Sequence, residues 1–251
     1  MKKIFLNKIT KQGKALFLAY DQGLEHGPLD FNDKNVDPLY VIDIAKKGKY
    51  TGIVFQKGIA EKYRKEIKRS KIPLIVKLNG KTNLVEGDPI SLQLCSVDEA
   101  VKLGARAVGY TLYIGSKHES LMFQEFELIQ KQAHSKGIPV IAWIYPRGSG
   151  LKDRKETELM AYATRAGLEL GADIIKIHPV GDLKDLKWAV KSAGKAMVVA
   201  AGGSKTNEGD LLNQAKNYTD AGFAGLAIGR NVWQSENPLE LTKKIKKIIF
   251  S

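Results

Sequence analysis

No disulfide can form within this chain, because Cys95 is its single cysteine. A lone thiol fits a reducing compartment, and a cytoplasmic protein is the expectation. Long apolar runs are lacking as well. No segment approaches the roughly 20 apolar residues that a membrane-spanning helix needs, so no membrane partner is expected. The opening residues, MKKIFLNKIT, are basic, but Asn7 and Lys8 interrupt them before the apolar core of an export signal develops. There is no G-x-G-x-x-G after the first apolar run, which removes the main support for an open, doubly wound sheet. The four histidines, His26, His118, His134 and His178, show no H-x-x-x-H or other metal spacing. Neither a metal nor another cofactor is therefore expected.

Acidic residues are in short supply. Forty Lys and Arg against 27 Asp and Glu leave a formal net charge of +13. Three explanations fit that balance: a nucleic-acid partner, attraction of small polyanions such as sugar phosphates, or simply a lysine-rich proteome. The lysines are spread along the whole chain. Their densest run, residues 243–247 (KKIKK), is interleaved with Leu241, Ile245, Ile248 and Ile249 at helical spacing. That pattern predicts an amphipathic terminal helix with a solvated face. No nucleic-acid-binding signature accompanies it, so the expected partner is a small phosphorylated molecule and not nucleic acid.

What is present is a repeated alternation. A chain of 251 residues with 43% apolar and 27% charged residues fits one large domain, 1–251, able to hold its core without disulfides. Eight short apolar runs recur: residues 15–20 (ALFLAY), 52–55 (GIVF), 73–78 (PLIVKL), 105–113 (ARAVGYTLY), 139–145 (PVIAWIY), 172–177 (ADIIKI), 196–201 (AMVVAA) and 225–229 (GLAIG). Near-continuous apolar runs belong to parallel strands covered on both faces. Helical patterns are plain over residues 38–49, 117–136, 157–170, 183–192 and 207–220, and Gly137, Gly171, Gly194 and Gly222 follow four of them, where a left-handed cap is wanted. Eight such units without a composition break predict an α/β fold, a single (β/α)8 TIM barrel.

Chemistry in such a barrel sits at the C-terminal ends of the strands. Lys176, within ADIIKIH, is flanked by Ile174, Ile175 and Ile177. Apolar burial lowers a lysine's pKa, and a neutral amine can attack a ketone to form an imine that drains electrons from the adjacent C–C bond. The bland alternative is a lysine whose head snorkels to the barrel mouth or pairs with an acid. Lys77, within LIVKLN, has the same local pattern, so spacing leaves two equal candidates. Gly202-Gly203 ends the seventh run and Gly229-Arg230 the eighth. Loops after strands 7 and 8 recurrently hold phosphate, through backbone N–H groups and an arginine fork, although glycines also serve ordinary tight turns. Tyr145 and Asp21 stand at strand ends where each could move protons, or where Tyr145 merely packs and Asp21 merely fixes a loop.

At these residues the chain resembles the archaeal-type class I fructose-1,6-bisphosphate aldolases of the DeoC/FbaB aldolase family. The matching stretches are residues 18–28 (LAYDQGLEHGP), 54–63 (VFQKGIAEKY), 78–82 (LNGKT), 108–113 (VGYTLY), 143–148 (WIYPRG), 171–177 (GADIIKI) and 228–234 (IGRNVWQ), in order over nearly the whole chain. The resemblance implies that Lys176 is the Schiff-base lysine, in preference to Lys77, and that Tyr145 transfers the proton, beside Trp143 and Arg147. It places the first-strand aspartate at Asp21, with Gln22 and His26 in the same loop. Phosphate binding falls on Ala201, Gly202, Gly203, Gly229 and Arg230, with His178 close to the lysine. Gln22, Ala201 and His178 depart from the commoner pattern, which bears on substrate preference and leaves the lysine–tyrosine pair intact. The implied reaction is reversible, metal-independent cleavage of fructose 1,6-bisphosphate in glycolysis and gluconeogenesis. A homo-oligomer, often a decamer, is also implied. Two rivals stay open: a transaldolase-like 2-amino-3,7-dideoxy-D-threo-hept-6-ulosonate synthase sharing Lys176 and Tyr145, and a non-catalytic phosphate- or nucleic-acid-binding barrel. A phosphosugar isomerase on the same scaffold would need no Lys176.

Overall fold

The computed structural model describes residues 3–251. Every predicted apolar run forms a strand: β1 Ala15–Ala19, β2 Gly52–Gln56, β3 Leu74–Lys77, β4 Ala105–Ile114, β5 Val140–Pro146, β6 Ile174–Ile177, β7 Met197–Ala201 and β8 Gly225–Ile228. Each pairs in parallel with the next, and β8 returns to β1, so the sheet closes in sequence order. The open-sheet alternative is thereby excluded, and the fold is the (β/α)8 barrel.

Side-chain alternation along each strand divides the core into two shells. Phe17, Val54, Ile75, Ala107, Ile141, Ile174, Val199 and Ala227 fill the inside of the barrel. Their neighbours, such as Leu16, Val76, Val108, Ile175 and Leu226, face outward and pack under the helices. Burial on both faces is the reason the strands read as unbroken apolar runs.

The five plain helices fall at Pro38–Gly48, Glu119–Ser135, Glu156–Glu169, Leu183–Ser192 and Glu208–Asp220. The four capping glycines adopt φ between 57° and 94°, as left-handed caps require. The terminal helix Pro238–Ile249 buries Leu241, Ile245 and Ile249 against the barrel, as its spacing predicts. Among the described residues no helix is long and apolar enough to cross a membrane. Three further helices, Lys57–Lys62, Arg64–Ser70 and Val97–Leu103, are short and largely charged, and each buries only one or two side chains.

Candidate active site

Alternation also determines what enters the barrel mouth. Ile174 points inward on β6, so Lys176, two residues on, does the same; Ile75 aims Lys77 inward on β3 by the same rule. On β5 the inward set is Ile141, Trp143 and Tyr145, and on β1 the Ala15, Phe17 and Ala19 series continues to Asp21. Trp143 needs space that β4 supplies at Gly109, where a Cβ would collide with its indole ring. Together these side chains sit at one end of a cavity of about 630 Å³ whose walls reach the β7 and β8 loops.

The two lysines that spacing left equal are separated by their partners. Lys77 is 6% and Lys176 7% exposed. Lys77 is ion-paired to Asp21 at 3.3 Å, whereas Lys176 has no carboxylate partner among the described residues and lies 5.3 Å over the Trp143 ring. Burial, helped by repulsion from Lys77 and opposed by Asp21 and Glu25, brings the Lys176 amine down to about 8. Burial would push the Asp21 carboxyl up, but the Lys77 and Lys176 cations outweigh it and hold Asp21 below the usual carboxylate range. Asp21 is thus a fixed anion between two amines. Burial first, then the carboxylates of Asp21 and Glu25, push the Tyr145 phenol up, so its hydroxyl keeps its proton.

Replacing Asp21 by asparagine is expected to leave Lys77 buried without its counter-ion, at a cost of about 3–5 kcal/mol. It also removes an attraction that raises the Lys176 pKa, so that amine should titrate lower still. Urea unfolding and a pH–rate profile check both effects. A stability loss below about 1 kcal/mol would mean that the ion pair is not what holds Lys77.

The opposite wall is built from long-range ties. Arg230 donates to Asp30 at 3.0 Å and reaches the Gly203 carbonyl at 3.5 Å; Asp30 also holds His26 at 2.6 Å. Asn231 clamps the β7 loop, donating to the Gly202 and Ser204 carbonyls at 2.7 and 3.0 Å and accepting from the Thr206 amide. Among the described residues the amides of Gly203, Ser204, Arg230 and Asn231 meet no protein acceptor. Gly229 admits no side chain, because a Cβ there would lie 2.7 Å from the Ala19 carbonyl. The His178 ring borders Gly203, where an added Cβ would come within 3.2 Å of it.

Of the sequence-predicted residues, Asp21, Gln22, His26, Tyr145, Arg147, Lys176, His178, Ala201, Gly202, Gly203, Gly229 and Arg230 all line this cavity, and Trp143 lies beneath Lys176. Arg230 is not a free fork, since Asp30 occupies one arm. Glu25, Asp30, Arg154 and Glu156 line or brace the cavity without being among the sequence-predicted residues. Glu25 pairs with Arg147 at 3.4 Å, while that guanidinium stacks 5.5 Å from the Tyr145 ring. Asp30 joins His26 to Arg230. Glu25 stands four residues after Asp21, and Asp30 four residues after His26, to which it is bonded; that spacing from a predicted site residue is the local signal that would have flagged both.

A lysine whose amine is free of acids and largely stripped of water, at the catalytic end of a barrel, is arranged to attack carbonyl carbon, and this places the protein among barrel enzymes with a lysine nucleophile. The chain belongs to the DeoC/LacD family of aldolases, whose model matches residues 15–235. It is 46% identical over 249 residues to the class 1 fructose-bisphosphate aldolase of Thermoproteus tenax, covering 98% of this chain and 93% of that one. A Schiff-base-forming fructose-1,6-bisphosphate aldolase superposes with a TM-score of 0.92 at 47% identity, covering 98% of both chains. An archaeal fructose-1,6-bisphosphate aldolase, solved with its catalytic lysine bound to the carbinolamine intermediate of the substrate, superposes with a TM-score of 0.93 at 45% identity, again over 98% of both.

Proposed function

We propose that this protein is a Schiff-base fructose-bisphosphate aldolase working through one barrel domain that spans the chain. The observation that carries the reading is Lys176, a buried amine at about 8 with no acidic partner among the described residues. The neutral amine attacks the C2 ketone of open-chain fructose 1,6-bisphosphate, and loss of water gives an iminium ion. That cation accepts the electron pair as the C3–C4 bond breaks and the C4 hydroxyl gives up its proton to water in the cavity, so the protein's own imine supplies the electron sink. Glyceraldehyde 3-phosphate leaves, Tyr145 delivers a proton to the enamine carbon, and hydrolysis frees dihydroxyacetone phosphate and Lys176. Asp21 stabilises the iminium and holds Lys77 away from the reacting carbon.

The unpaired amides of Gly203, Ser204, Arg230 and Asn231, with the Arg230 guanidinium, suit one phosphate. Arg147 and Arg154, across the same cavity, suit the other. Gln22 presents a buried side-chain N–H without an acceptor, a donor for a substrate hydroxyl. His26 and His178 shape the phosphate end, and Ala201 keeps its floor small. Cytoplasmic residence in glycolysis and gluconeogenesis belongs to the same reading; the buried Cys95 thiol, pushed up to about 11 mainly by burial, is suited to staying reduced. So does a homo-oligomer, supported by the exposed Leu29, Leu84 and Val85.

Because the reactive form is neutral and the folded pKa is about 8, kcat/KM for cleavage is expected to rise with pH to about 8 and then level. About a tenth of the amine is reactive at pH 7. A profile flat between pH 6 and 9 would speak against this nucleophile. The function itself is tested by incubating the enzyme with fructose 1,6-bisphosphate, fructose 1-phosphate and related ketoses, with and without chelator. Triose phosphates released fastest from the bisphosphate, regardless of chelator, are expected. Failure to cleave it, with transfer to another acceptor instead, would point to the synthase.

A further inference from the structure

The barrel has a second cleft, of about 650 Å³, at the other mouth. Lys11 and Thr51 lie just before β1 and β2, whereas the aldolase site lies beyond the strands' C-terminal ends. Six lysines converge there from three parts of the chain: Lys11 from the turn before β1, Lys49 from the end of the helix Pro38–Gly48, and Lys243, Lys244, Lys246 and Lys247 from the terminal helix. One of them is neutralised, Lys244, by Glu208 at 2.6 Å. Another is structural, since Lys246 donates to the Gly48 carbonyl at 2.9 Å and so caps the preceding helix. Lys11, Lys49, Lys243 and Lys247 have no carboxylate within ion-pair distance among the described residues, and Glu240 is the cleft's lining acid.

Helix-end lysines are common, because they complement the macrodipole, and that accounts for Lys246 and Lys247. Lys49, at the C-cap of the helix Pro38–Gly48, is explained the same way, but Lys11 is not, and nothing in the helix ends themselves requires these lysines to face one another across one cleft. The repulsion is felt: partial burial, together with Lys11 and Lys49, pushes Lys246 below its ordinary range. Uncompensated like charges gathered in a concavity concentrate a positive potential that a counter-ion relieves. Lysine ammonium groups are compact point charges suited to phosphate oxygens. Lys243 and Lys247, one helical turn apart, present their charges side by side. A single phosphate would meet only part of this arc, whereas linked phosphates can span it. The half-buried Phe250 also lines the cleft, an aromatic side chain beside the lysines on which a base could stack.

We infer that this N-terminal-face cleft is a binding site for a small molecule carrying a run of linked phosphates, separate from the aldolase site. An inorganic polyphosphate and a nucleoside triphosphate share that chemistry, and Phe250 separates them, since a base can stack on its ring.

The test is titration calorimetry of the full-length protein with tripolyphosphate and with adenosine triphosphate, in wild type and in K49Q/K243Q/K247Q. The altered lysines are exposed, so the fold should hold, and K243R/K247R keeps the charge as a control. The triple variant is expected to weaken binding at least about tenfold, with unchanged ketose cleavage, while the arginine variant binds like wild type. A further loss in F250A confined to the nucleotide identifies a nucleoside triphosphate; equal affinities in F250A identify polyphosphate. Undiminished binding in the triple variant, or none to either probe in wild type, would overturn the inference. So would duplex RNA or DNA binding more tightly through the same three lysines, which would make the face a nucleic-acid surface.

Discussion

Lys176→Met is expected to abolish ketose cleavage, by on the order of 10⁴-fold or more, and at the same time to make the protein more stable. The first effect follows from losing the amine that forms the imine, while Lys77 stays paired to Asp21; substitutions of a covalent nucleophile routinely have effects of this size. The second follows from the cost of burying the amine. Its folded pKa is about 8 against 10.5 for the ordinary group, so between those values the unfolded chain binds more protons and stability rises with pH. Below pH 8 the penalty is present in full, about 3 kcal/mol at most, and above 10.5 it vanishes. Methionine matches the lysine stem in shape and has no charge to bury. The stability gap between variant and wild type should therefore be widest at neutral pH and close as pH rises through 8 to 10.5, as denaturant unfolding at several pH values would show. A Lys176→Met protein less stable than wild type at pH 7 would mean that the amine is better solvated than its 7% exposure indicates.

Tyr145→Phe should separate imine formation from proton transfer. Its ring lies 6.5 Å from the Tyr113 ring and under Arg147, contacts that phenylalanine keeps. What is lost is a hydroxyl whose proton is held firmly by burial and by Asp21 and Glu25. A drop in kcat of about 10²–10⁴ is expected, with KM little changed, because the proton moves only after the substrate is bound. The imine should still form at Lys176 and accumulate, so borohydride with substrate should label this variant at least as well as wild type. Wild-type kcat in Tyr145→Phe would transfer the proton-handling role to another group, with Glu25 the first to examine.

The eight strands and five long helices were legible because both shells of the core leave a mark in the sequence. A strand buried on both faces is continuously apolar, and an outer helix repeats its buried face at every turn. The helices Lys57–Lys62 and Arg64–Ser70 left little mark, since Ala60, Ile67 and Ser70 are their buried residues within a charged stretch. At the site, alternation from Ile174 and Ile75 was enough to aim Lys176 and Lys77 into the barrel, but not to choose between them. The ordered motifs, through their resemblance to known aldolases, favoured Lys176, and the structure adds a physical reason: Asp21, just beyond β1, pairs with Lys77 and leaves Lys176 without an acid. The phosphate wall was legible as two glycine loops in the right serial places. Its reinforcement was not, because the tie from Arg230 to Asp30 spans 200 residues. No local pattern carries a contact of that range.

The most direct test is to reduce the enzyme with borohydride in the presence of dihydroxyacetone phosphate, digest it, and map the added mass by tandem mass spectrometry. One adduct per chain, on Lys176 within GADIIKIH, is the predicted result. An adduct on Lys77, or no adduct while bisphosphate cleavage proceeds at full rate, would contradict the account.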